Sequence, residues 1–166
     1  YGTITNCYHT GAVSGSSYVG GVCGETFSAK TTTNCYNTGA VSGSDIVGGV
    51  CGFNNGGRLT NCYSTGEVTA TGVDAYIGGV CGRNGGEITN CYYDSTVYSG
   101  NAVGYNPGTV SENVLGKTTA KFNSGEVAYL LSQGCTIYDT TYDGSIWGQT
   151  IGTDPSPVLG GATVYT

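Results

Sequence analysis

One phrase recurs through the chain and leaves it few ways to fold. Thr5-Asn6-Cys7-Tyr8 returns as Thr33-Asn34-Cys35-Tyr36, Thr60-Asn61-Cys62-Tyr63 and Thr89-Asn90-Cys91-Tyr92, so the cysteines at 7, 35, 62 and 91 fall 28, 27 and 29 residues apart. A second phrase, Val19-Gly20-Gly21-Val22-Cys23-Gly24, lies between them and returns at 47–52 and, with Ile77 in first place, at 77–82. Identities held at a period of this length mark a stacked array, because one unit cannot bury its apolar face alone.

Within a unit the residues predict three short strands, Leu59 to Tyr63, Glu67 to Ala70 and Ala75 to Cys81, divided by breaks of Gly, Asn, Ser and Asp. Winding the unit as one coil of a parallel β-helix stacks matching positions about every 4.8 Å. The predicted fold is all-β, a parallel β-helix of about four coils over residues 1–115. Strand twist and crossover preference favour right-handed winding, with the left-handed form as the alternative. Ile4, Leu59 and Ile88 form one inward ladder, with Thr32 as a polar exception; Val13, Val41 and Val68 form a second, and Val19, Val47 and Ile77 a third. Asn6, Asn34, Asn61 and Asn90 are placed at a corner, where stacked amides can bond along the axis. In that phase Leu59 and Cys62 point in, while Thr60 and Tyr63 point out.

The degenerate last coil says what the cysteine positions require. Aligned on its predecessors, it puts Val103 where Cys51 stands and Val114 where Cys62 stands. A position that accepts valine is small, buried and apolar, which favours free thiols over disulfides. No Cys-x-x-Cys pair occurs and His9 is the only histidine, so no zinc or other metal, and no cofactor, is expected.

Residues 116–166 change in composition and are read as a C-terminal capping segment. A short helix is predicted from a Ser124 N-cap to Gly134, with Glu126 in its first turn and Val127, Leu130 and Leu131 as its apolar face. Cys135 to Tyr138 and Ser145 to Ile151 read as a hairpin around Tyr142-Asp143-Gly144. Such a unit would plug the open end of the β-helix, with Trp147 as part of the plug or as a ligand contact.

A net charge of −6 with five scattered basic residues argues against a nucleic-acid partner. No apolar run approaches the roughly 20 residues of a membrane-spanning helix. With neither an initiator Met nor a signal peptide, Tyr1 reads as falling inside a longer chain, with signal and anchor elsewhere, and the segment is expected to be monomeric.

Tyr18-Val19-Gly20-Gly21-Val22-Cys23-Gly24, followed by Asn34-Cys35-Tyr36-Asn37-Thr38-Gly39, resembles the GLUG repeat of bacterial surface proteins, including repeat regions of IgA-protease-like and filamentous-haemagglutinin-like exported proteins. Gly125 to Leu131, Trp147 to Asp154 and Pro157-Val158-Leu159 resemble the segment that often follows such repeats in exported proteins of anaerobic gut bacteria. The resemblance implies extracellular display at the bacterial cell surface and an adhesive or spacer role. The family carries no agreed catalytic residues to transfer.

Catalysis finds little support in the residues themselves. A β-helix enzyme that degrades polysaccharide needs paired carboxylates, or a cation with basic residues, in a groove. Here Asp45, Asp74 and Glu67 occur singly, and Asp139 and Asp143 beside Gly144 fall short of a cation loop. The expectation is no enzyme, with a polysaccharide-degrading fragment kept as an alternative. For binding, Tyr8, Tyr36, Tyr63 and Tyr92 would form an outward aromatic ladder flanked by Thr33 and Thr60, with Trp147 as a further contact and a glycan or host surface protein as ligand. The same tyrosines could simply hold neighbouring coils together, leaving a passive stalk without a ligand.

Overall fold

The structure, a computed structural model, describes residues 2–134 and 146–161. Residues 2–117 wind as a parallel β-solenoid with five short sheets. In the third turn the successive strands are Arg58–Thr60 (sheet A), Tyr63–Ser64 (B), Val68–Ala70 (C), Tyr76–Gly78 (D) and Cys81–Asn84 (E). Each pairs in parallel with its counterpart one turn away: Leu59 with Thr32 and Ile88, Tyr63 with Tyr36 and Tyr92, Val68 with Val41, Ile77 with Val47, and Cys81 with Cys51 and Val103. Three complete turns stack in this way. The fourth keeps strands in A, B and E but has none in C or D, so the array is slightly shorter than the four coils expected.

Five strands per turn replace the predicted three, and both extra breaks have a physical cause. Asn6, Asn34, Asn61 and Asn90 take left-handed backbone, with φ of 53°, 53°, 52° and 48°. Asn tolerates that conformation better than most residues, and it turns the chain between sheets A and B. The second break falls at Val50 and Val80. There the amides of Val50 and Cys51 both donate to the Val80 carbonyl, at 2.9 and 3.1 Å, and those of Val80 and Cys81 both donate to Ala102 in the next turn. The glycine before this corner answers to space: a Cβ on Gly48 would lie 2.0 Å from the Cys51 carbonyl oxygen and 2.7 Å from the Gly82 nitrogen.

The interior holds Leu59, Ile88, Val50, Val80 and the cysteines at 35, 51, 62, 81 and 91, all fully buried. Val103 registers with Cys81 and Val114 joins the same cluster, so valine occupies the cysteine positions as the alignment indicated. The seven described cysteines are free thiols. Cys35, Cys62 and Cys91 each donate to the carbonyl two residues back, at 3.1, 3.2 and 3.3 Å. Buried Thr32 is satisfied by Thr26, whose hydroxyl lies 3.3 Å away.

Two asparagine ladders run along the axis. Asn61 donates to Asn34 at 3.3 Å, Asn90 to Asn61 at 2.7 Å and Asn113 to Asn90 at 3.4 Å, which is the corner ladder read from the sequence. The second was not foreseen: Asn54 donates to Asn84, and Asn84 to Asn106, both at 2.8 Å. The ladders bond amide groups inside the wall, where an unpaired one costs about 1–3 kcal/mol; Asn54 Oδ1, at the end of the second, is buried without a partner.

After the solenoid come two helices, α1 (Thr119–Asn123) and α2 (Glu126–Gly134), and an antiparallel pair joining Trp147–Gly148 to Val158–Leu159. Ser124 ends α1 instead of capping α2, and Gly125, at φ 85°, makes the turn between them. Glu126 bonds Lys121 at 2.5 Å and Lys117 at 3.0 Å, and those cations hold its carboxyl below the usual range. Trp147–Gly148 pairs with Val158–Leu159; the stretch from Cys135 to Tyr138, with Asp139, Asp143 and the turn at 142–144, lies outside the described residues.

Candidate functional site

The tyrosine flank does not reach solvent as the sequence suggested. The ring centres of Tyr8 and Tyr36 are 5.0 Å apart at 7°, and those of Tyr36 and Tyr63 4.9 Å apart at 2°. Rings stacked along the axis present their faces to one another, so within the stack a sugar could meet only edges, and a face only on a ring that ends it. The C-terminal segment then closes over them. Phe122, Val127, Leu131 and Trp147 bury Tyr36, Tyr63 and Tyr92 to 7%, 0% and 2% exposure, leaving Tyr8 as the exposed ring at 61%. The segment therefore lies along sheet B across three turns, whereas a plug at the open end was expected.

Specific bonds hold this cover in place. The Tyr63 hydroxyl donates to the Pro157 carbonyl and lies 3.2 Å from Ser156 Oγ. Asn90 Nδ2 donates to the Leu130 carbonyl at 3.2 Å. The Thr119 hydroxyl donates to buried Asp94 at 2.6 Å, and Gln149 ties Phe122 to Asp154 through two carbonyls, at 2.7 and 2.9 Å. Burial pushes the Tyr92 phenol up to about 12 and that of Tyr63 higher still. Trp147 is 2% exposed and packs on Tyr36 and Tyr63, so it is a core residue of the cover and not a surface contact. Thr33 and Thr60 stack in register on sheet A, half-buried and separated from the tyrosines by the asparagine corner.

The accessible aromatic surface lies elsewhere, on sheets D and E. The second position after each sheet-E cysteine forms one column: Glu25, Phe53, Arg83 and Tyr105, paired in register. The guanidinium carbon of Arg83 lies 4.7 Å from the centre of Phe53 and 5.7 Å from that of Tyr105. Such a cation held over ring faces gains roughly 0.5–2 kcal/mol. Tyr76 of sheet D stacks on Tyr105 at 4.9 Å, and Tyr18 leans on Phe53 at 5.7 Å. Tyr18, Tyr76 and Tyr105 are 43%, 38% and 45% exposed, against near-complete burial of the tyrosine flank. The signal that could have found this column is the frame Cys-Gly-x-Asn at 51–54 and 81–84, with Val103 in the cysteine position at 103–106; its variable third residue faces out.

Cys23, Cys35 and Cys62 are poor nucleophiles. The neighbouring Cys51 thiol and burial drive Cys23 up, Cys62 and burial do the same to Cys35, and burial leads for Cys62, so these groups stay protonated. Among the described residues no three His, Cys, Asp or Glu side chains gather as a metal site. Asp45 is engaged by the Ser17 hydroxyl at 2.5 Å. No described helix is long and apolar enough to cross a membrane.

Fold and wall together define a parallel β-solenoid with a lateral C-terminal cover. The profile of the GLUG motif matches residues 43–69 and 74–98, so the chain carries GLUG repeats there. It is similar to the crystal structure of a Bacteroides ovatus protein provisionally named an immunoglobulin A1 protease, at 21% identity and a TM-score of 0.55 over 95% of this chain. That likeness shows the shared fold, and this chain spans 57% of that one. No curated protein matches.

Proposed function

We propose that this chain is a non-catalytic segment of an extracellular, surface-displayed bacterial protein, and that it serves as a binding scaffold whose contact with glycans runs through Phe53, Arg83, Tyr105 and Tyr76. The column of rings around a guanidinium, with Tyr76 and Tyr105 exposed and Phe53 and Arg83 half-buried, carries this reading. It offers apolar ring surface beside a fixed hydrogen-bond donor, the pairing that orients small ligands. The GLUG repeats and the solenoid support display and a scaffold role. The protease name of the Bacteroides ovatus structure brings no catalytic group to this chain, since a likeness at 21% identity speaks for fold.

A glycan array tests the reading with the parent chain beside Phe53→Ala and Tyr105→Ala variants, each checked for fold by circular dichroism. Binding by the parent and its loss in both folded variants is the expected result. Binding that both variants retain would move the contact to another surface. An array silent for all three would favour a passive stalk, for which the uniform rungs and the two asparagine ladders are sufficient.

A further inference from the structure

We infer that the Arg83 column takes an acidic saccharide, with the carboxylate of a uronic or sialic acid on the Arg83 guanidinium and the sugar's apolar face on Tyr105. This rests on the glycan reading above and specifies its ligand class.

The first observation is a cation without an acid. In a chain of net charge −6, Arg58 is paired with Glu87 at 3.1 Å, and Lys117 and Lys121 are both paired with Glu126. Arg83 is in none of these ion pairs, and its close neighbours are the rings of Phe53 and Tyr105. Its Nε is buried without a hydrogen-bond partner. The guanidinium is therefore short of acceptors, and its terminal nitrogens are the groups through which an incoming carboxylate can supply them.

The second observation is preorganisation. Rings at 4.7 and 5.7 Å hold the guanidinium in one orientation before any ligand arrives. Arginine recognises carboxylates through a planar fork of parallel donors, and a fork already fixed loses little entropy on binding. The third is the platform. Tyr105 belongs to the edge strand of sheet E, so no further rung of that sheet covers it, while Tyr76 supports it at 4.9 Å and 21°.

Charge also sets the direction in which such a ligand lies. Glu25, the other charged member of the column, is two rungs from Arg83 on the far side of Phe53, with Asn55 Nδ2 bonded to it at 3.1 Å. Two rungs are about 9.6 Å, close to one Debye length at physiological salt. An acidic sugar is thus drawn to the Arg83–Tyr105 end and away from the Glu25 end.

Isothermal titration of the whole chain tests this with trisaccharides of galacturonic acid, of glucuronic acid and of a sialylated lactose, beside the methyl-esterified galacturonic trisaccharide as a neutral match. At least one acidic probe is expected to bind, and to bind more weakly as salt rises. If that probe is the galacturonic trisaccharide, its ester should bind roughly tenfold more weakly or worse, and for any binding probe Arg83→Gln should lose a similar factor. Arg83→Lys should lie between Gln and the parent, which a merely structural loss would not produce. Equal binding of the acid and its ester, unaffected by Arg83→Gln, would overturn the acidic-ligand inference and leave the glycan reading standing. Failure of every acidic probe, with neutral glycans bound on the array, would overturn it too; failure of acidic and neutral glycans alike would overturn both.

Discussion

The ring of Trp147 lies 5.6 Å from that of Tyr63, at 54°. That contact joins the C-terminal segment to the wall of the solenoid, and Tyr36, Tyr92, Phe122, Val127 and Leu131 complete the cluster around it. Trp147→Ala should therefore lower stability by about 3–5 kcal/mol, the usual cost of emptying a buried aromatic position. Urea denaturation followed by circular dichroism measures this. A change below about 1 kcal/mol would mean that the cover contributes little to the fold.

The buried phenols give the cover a pH signature. Burial raises Tyr92 to about 12 and Tyr63 further, against an ordinary value near 10. Above that ordinary value the unfolded chain gives up protons that the folded chain keeps, so stability falls as pH rises. The stabilisation is whole below about pH 10 and is lost between about pH 10 and 12. Denaturation midpoints at about pH 9 and about pH 11 should differ in that direction, and tyrosinate absorbance should show a late fraction that appears only on unfolding. Tyrosines that all titrated together near 10 in the folded chain would contradict the burial.

Asn61 combines a backbone demand with a side-chain bond, and two substitutions separate them. At φ 52° glycine is tolerated, so Asn61→Gly should cost chiefly its bonds to Asn34 and Asn90, about 1–3 kcal/mol, offset in part by relief of backbone strain. Asn61→Ala should cost about 1–2 kcal/mol more, because alanine resists left-handed backbone. Denaturation midpoints in the order parent, Gly, Ala are expected. Equal Gly and Ala variants would refute the corner.

The cysteine interior should tolerate valine. Cys62 is fully buried, and the chain itself puts Val114 in the equivalent position one turn past Cys91. Cys62→Val should change stability by less than about 1.5 kcal/mol, as near-isosteric core exchanges do. A larger loss would show that the thiol's bond to the Thr60 carbonyl, at 3.2 Å, matters more than its volume.

The solenoid, its inward ladders, the asparagine corner and the valines in cysteine positions were legible because a repeat prints the same residue wherever the same environment recurs. The break at Val50 was not. It arises where two consecutive amides share one carbonyl of the next turn, and no residue type announces that. Tyr36 and Tyr63 illustrate a different limit. Periodicity shows that a side chain points away from the solenoid interior, but not what a later, non-repeating stretch will lay over it. Phe53, Arg83 and Tyr105 escaped for the opposite reason: they share a position without sharing an identity, so repeated words pass over them.

Trp147 is the sole tryptophan of the chain, so its fluorescence reports directly on whether the tyrosine flank is closed. Its ring is 2% exposed, packed between the rest of the C-terminal segment and the tyrosine flank, and ligand binding falls to the Arg83 column on another face. Acrylamide quenching of the native chain, compared with the chain in denaturant, is the most direct test. Blue-shifted emission with little native quenching is expected. Native emission quenched as strongly as in denaturant would mean that the tyrosine flank is open and that the ligand surface was assigned to the wrong face.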